Sequence, residues 1–133
     1  MSGYYDVAIV TLMSTITCAG MAGVVSRARI KAGLLPPATV GDPAVERLIR
    51  AHLNTIEWMP TYLAGLWIFA LYWNPHWASA LGSIWIAGRL IYFVGYAADA
   101  ERRFLGFGIQ ALSASALVLG ALGRVTFLAV ATH

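Results

Sequence analysis

Residues 77–98 read WASALGSIWIAGRLIYFVGYAA, and one side chain in that stretch, Arg89, carries a charge. A bilayer core of about 30 Å is crossed by roughly 20 apolar residues in a helix, so this run is long enough to span it. Outward from it, three more apolar stretches lie near residues 5–26, 53–73 and 104–130. The 133-residue chain is 59% hydrophobic and 11% charged, against about 25% charge in a soluble domain, which places it in lipid. The expected architecture is all-α, an integral membrane bundle of four spanning helices forming a single domain over residues 1–133.

Proline and glycine punctuate the spans. Gly33 and Pro36-Pro37 predict that the first helix ends near Lys31. Asp42 reads as an N-cap, with Pro43 at the first helical position, where a missing N–H is harmless. A helix from Pro43 to Trp73 would be about 46 Å long at ~1.5 Å per residue, so its first turns project beyond the lipid tails. Pro60 predicts a kink within it, and Asn74-Pro75 a tight turn into the third helix. Ser113, Ala116 and Gly120 recur at helical spacing and predict a close helix–helix contact.

The charges give a topology. Arg27, Arg29, Lys31, Arg47 and Arg50 flank the first connection, Arg102 and Arg103 the third, and the second (Asn74-Pro75-His76) has no Lys or Arg. The positive-inside rule then puts the first and third connections in the cytoplasm and both termini on the opposite side. This placement also argues against nucleic acid as the partner of a chain with net charge +3. Met1 to Asp6 lacks the basic start of a cleaved signal peptide, so the first span is expected to stay. The single cysteine, Cys18, excludes an internal disulfide and reads as a small packing residue, and the scattered His52, His76 and His133 imply no metal site.

Polar residues inside the spans carry the functional information. Arg50, Asn54 and Glu57 share one face of the second helix at i, i+4, i+7, and Arg89, Tyr92 and Tyr96 repeat that geometry on the third, with Arg103 following. Ten residues from Asp99, Arg89 sits about 15 Å deep, where an arginine costs about 2.5–3.5 kcal/mol on insertion scales and needs an anion or a wet cavity. Glu57 is the carboxylate at comparable depth, which predicts a Glu57–Arg89 pairing, direct or through water, within a subunit or across an interface. Simple helix-to-helix glue would explain each polar residue singly. One carboxylate does not account for Arg29, Arg50, Arg89 and Arg103 together, so the excess charge implies an anionic ligand held by arginine forks and tyrosine hydroxyls at the cytoplasmic edge.

The run from Glu46 to Pro60, ERLIRAHLNTIEWMP, resembles a family signature E-R-x-x-R-A-x-x-N-x-x-E-x-x-P, and Ala87 to Tyr96 resembles its second element, A-R-x-x-Y-x-x-G-Y. The family is MAPEG, membrane-associated proteins in eicosanoid and glutathione metabolism, and the likeness is to its glutathione transferases and leukotriene-forming members. It implies a homotrimer that binds glutathione between subunits and takes a hydrophobic electrophile, or an eicosanoid-like lipid hydroperoxide, from the membrane lipid. By position it assigns glutathione to Arg50, Asn54, Glu57, Tyr92 and Tyr96, brings Arg29 from the adjacent subunit, lines the site with Arg89, and gives Arg103 the activation of the thiol. His52 stands where some members have glutamine, Trp58 where they have tyrosine, and Ile30 where leukotriene-forming members have a second arginine.

The implied activity is that of a glutathione S-transferase, with detoxifying conjugation and peroxide reduction both open, and glutathione as the co-substrate. Two other readings stand beside it. A non-catalytic lipid-binding member would have lost the glutathione ligands, and a small multidrug transporter would need a carboxylate free of fixed cations.

Overall fold

The computed structural model describes residues 3–132. Four long helices, α1 (Tyr4–Ala32), α2 (Pro43–Tyr72), α3 (Pro75–Ala98) and α4 (Arg103–Ala131), pack together, with a 3-10 turn at Ala100–Arg102 leading into α4. Their ends follow the punctuation. At the end of α1, Gly33 takes the left-handed conformation (φ +68°) and its N–H meets the carbonyls of Arg29 and Ile30. Asp42 Oδ1 accepts from the N–H of Ala44 at 2.9 Å and of Val45 at 3.3 Å. Asn74 does the same for α3, accepting from His76 and Trp77. Helix α2 runs through Pro60 without interruption, although the proline has no N–H to offer the carbonyl of Ile56.

Helices α1, α3 and α4 are long and apolar enough to cross a membrane. The expectation of four such stretches is corrected at α2, which has the length but not the apolarity. Its first half carries Glu46, Arg47, Arg50, Asn54 and Glu57. It nevertheless lies along the other three: Trp67 Nε1 donates to Thr11 Oγ1 of α1 at 3.0 Å, Tyr62 stacks on Trp85 of α3 at 3.8 Å, and Phe69 meets Gly120 of α4. Polar groups in a membrane helix are tolerated where protein, not lipid, surrounds them.

The most extensive contact is between α3 and α4. A Cβ on Gly106 would lie 2.1 Å from the backbone nitrogen of Tyr92, and one on Gly88 2.7 Å from that of Gln110. The two backbones therefore touch where only glycine fits. The small-residue row expected to make this contact divides differently. The Ser113 hydroxyl donates to the Leu81 carbonyl of α3, Gly120 faces the Phe69 ring of α2, and Ala116 points outward.

The half of the bundle remote from the first connection has an apolar core around Val7, Leu66, Trp85 and Leu117. Within it Ser14 Oγ lies 2.9 Å from Tyr62 Oη. At that end Arg124 Nε donates to the Tyr72 carbonyl at 3.1 Å, capping α2. The outer surface exposes Leu12, Leu112, Leu119 and Phe127, a surface suited to hydrocarbon rather than water.

Candidate functional site

A cavity of about 380 Å³ opens at the end of the bundle near the first and third connections, lined by Arg50 and Asn54 of α2, Tyr92 and Tyr96 of α3, and Arg103, Phe104 and Phe107 of α4. That volume is in the range of small-molecule sites. Arg50 and Asn54 reach it because they stand four residues apart on one helix face, as do Tyr92 and Tyr96, whose rings stack at 5.7 Å. Arg103 and Phe107 are also four apart, at the start of α4.

The electrostatics of this wall are positive. Arg50 pairs with Glu57 at 3.3 Å, with more than half of each side chain exposed (56% and 55%), so the pair is solvated and open to exchange of partners. Arg103 has no carboxylate partner among the described residues; its guanidinium lies 5.6 Å from the Tyr96 ring and 4.9 Å from that of Phe104. A cation against an aromatic face keeps its charge available to an anion.

Arg89 departs from both expectations placed on it. It is fully buried and does not line the cavity. A direct pairing with Glu57 within the chain is absent: Arg89 Nη2 donates to Asn54 Oδ1 at 2.9 Å and to Thr55 Oγ1 at 2.8 Å, and Nε donates to Thr55 Oγ1 at 3.2 Å. With zero exposure it is also out of reach of a carboxylate arriving from outside the chain. The reason is rotational. Successive helix residues turn by about 100°, which leaves Glu57 about 160° from Thr55 around α2 and facing outward with Arg50.

The other expected residues are dispersed. Arg29 Nη1 donates to the carbonyls of Leu34 and Ala38, pinning the first connection, and does not reach the cavity of its own chain. His52 points toward α1, its Nε2 3.9 Å from Cys18 Sγ. Trp58 packs edge-on against Phe107 at 6.0 Å, adjoining the cavity without lining it. His133 lies outside the described residues. The sequence reading missed Thr55, Phe104 and Phe107. Phe107 had a signal, its spacing of four from Arg103; Thr55 had none beyond being a hydroxyl beside Asn54.

Beyond Trp58 an apolar groove between α2 and α4 continues away from the cavity. Its two segments, about 270 and 340 Å³, share Thr61 and Val118 and reach Val125. A polar, cationic chamber thus lies beside an apolar trough on the outer surface of a membrane-type bundle.

The comparison with known proteins narrows that class. Residues 7–123 match the MAPEG family model, and the chain belongs to the MAPEG family. With its three apolar helices it is an integral membrane protein. It is 38% identical to human (Homo sapiens) microsomal glutathione S-transferase 2 over 117 residues, covering 87% of this chain and 80% of that protein. It is 36% identical to guinea pig (Cavia porcellus) leukotriene C4 synthase over 126 residues, covering 95% and 81%. An uncharacterized protein of Synechocystis is 43% identical over 115 residues, covering 86% and 84%.

Proposed function

We propose that this protein is a membrane-bound glutathione S-transferase that ionises the glutathione thiol and presents it to a hydrophobic electrophile. The observation that carries the reading is Arg103, a guanidinium on the cavity wall with no carboxylate partner among the described residues. The glutathione transferase and leukotriene C4 synthase relatives support it.

Arg50, Asn54, Tyr92 and Tyr96 hold the tripeptide's carboxylates and backbone, and Glu57 receives its amino group. Arg103 stabilises the sulfur anion. A thiol with pKa near 8.5 is about 3% ionised at pH 7; a fall of one to two units raises that to roughly a quarter to three quarters. The thiolate then forms a carbon–sulfur bond by addition to an epoxide or conjugated alkene, or by displacing an aryl halide, while peroxide reduction uses the same thiolate. The electrophile lies in the groove beyond Trp58. The active assembly is a homotrimer in which Arg29 comes from the neighbouring subunit, and the cavity end of the bundle, with the first and third connections, faces the cytoplasm. A proton-coupled transporter needs a carboxylate free of fixed cations, and Arg50 lies 3.3 Å from Glu57, which favours the transferase reading.

Glutathione titration of the purified protein, with thiolate absorbance as the readout, tests this. Wild type forms thiolate at pH 7, and Arg103→Ala forms roughly eight- to twentyfold less at saturating glutathione. A wild-type protein that binds no glutathione refutes the reading.

A further inference from the structure

Arg89 is the one buried charged side chain among the described residues, and it touches two residues of the cavity wall from behind. Its Nη2 holds Asn54 Oδ1 at 2.9 Å, and its guanidinium carbon lies 4.4 Å from the centre of the Tyr92 ring. Thr55 fixes its aim by accepting from both Nε and Nη2. Among the described residues no carboxylate is bound to it.

An arginine side chain has five donors and no acceptor, so the Asn54 amide can face it only through oxygen; the flipped amide would set N–H against N–H. The other end of that amide, Nδ2, makes no hydrogen bond to a described residue and is not enclosed, while Asn54 itself lines the cavity. We infer that Arg89, without meeting the ligand, sets the hydrogen-bonding polarity of the cavity wall: by claiming Oδ1 of Asn54 it turns the amide NH2 inward and makes the wall selective for a ligand rich in carboxylate and carbonyl oxygens. With Arg50 and Arg103, every fixed polar group on that wall is then a donor, and the two tyrosine hydroxyls adapt. Arg89 is a positioning residue. The identity of the ligand rests on the glutathione reading; the orientation of Asn54 does not.

Asn54→Asp separates the two. With Arg89 present, the new carboxylate gains a charged partner, so the variant melts at or above the wild-type temperature in detergent. It also removes the inward donor and adds a negative charge, so glutathione affinity falls at least tenfold. If Arg89 did not hold Oδ1, the same substitution would leave a carboxylate without its cationic partner and lower the melting temperature. In the Arg89→Met background, which has neither a charge nor a donor to face position 54, Asn54→Asp lowers the melting temperature relative to Arg89→Met alone. Two results overturn the inference: Asn54→Asp binding glutathione as tightly as wild type, or shifting the melting temperature equally in both backgrounds. A wild-type protein that binds no glutathione would sink the proposed function, and the two melting comparisons would still decide the role of Arg89.

Discussion

Replacing Gly106 by alanine adds one methyl group at the tightest point of the bundle. The new Cβ would stand 2.1 Å from the Tyr92 nitrogen, 2.5 Å from its Cα and 2.7 Å from the Gly88 carbonyl oxygen. All three are backbone atoms, so no rotamer change relieves the contact, and α3 and α4 must part by roughly 1 Å. A gap of that order forfeits a quarter to a half of the local dispersion energy, and overpacking of this kind costs about 1–3 kcal/mol. The displacement also falls on the site, because Tyr92 lines the cavity and Arg103 begins the helix that is pushed away. Misplacement by ~1 Å is enough to reduce turnover about a hundredfold. Gly108, two residues on in the same helix, is the control, since a Cβ there meets nothing within 4 Å. There alanine is a better helix former by ~1 kcal/mol. Thermal unfolding in detergent and conjugation of a standard aryl halide should therefore separate the two variants, Gly106→Ala losing stability and activity and Gly108→Ala keeping or gaining both. Equal behaviour of the pair would refute the steric argument.

Further substitutions probe other parts of the structure. Thr55→Val keeps the shape but deprives Arg89 of the acceptor for two of its bonds, and should destabilise by about 3 kcal/mol, measured as a lower denaturation midpoint. Gln110 is fully buried with neither amide atom partnered, so Gln110→Met should raise the melting temperature, against the usual direction for core changes. Thr61→Trp fills the groove where its two segments meet, and should raise KM for a bulky apolar electrophile at least tenfold while glutathione titration is unchanged. Asp42→Ala removes the cap of α2 and should cost about 1 kcal/mol in the same unfolding measurement.

Helix boundaries were legible because they depend on single residues. Asp42-Pro43, Asn74-Pro75 and Gly33 act through local backbone chemistry that no distant contact overrides. The cavity was legible in part for the same reason: Arg50 with Asn54, and Tyr92 with Tyr96, share helix faces whatever lies opposite. What surrounds those faces was not. The partner of Arg89 depends on how far α2 is rotated toward α3, and a spacing rule contains no rotation, so Glu57 was chosen for its charge where Asn54 and Thr55 had the position. The contact of Gly88 with Gly106 was equally hidden. Glycines recur along α4, and only the crossing point of two backbones distinguishes Gly106 from Gly108.

The bonds from Arg89 to Asn54 and Thr55 also bear on how the chain is made. Helix α2 is less apolar than the other three, and α3 carries an arginine whose hydrogen-bond partners among the described residues are on α2. Helix α3 is apolar enough to cross a membrane but enters at a lower cost with its arginine bonded, and just Trp73 and Asn74 separate the two helices. They are expected to leave the translocon as one hairpin, with the guanidinium already bonded, so a nascent chain halted after Tyr72 should leave α2 outside the membrane in an insertion assay, whereas one extended through Ala98 should bury both helices.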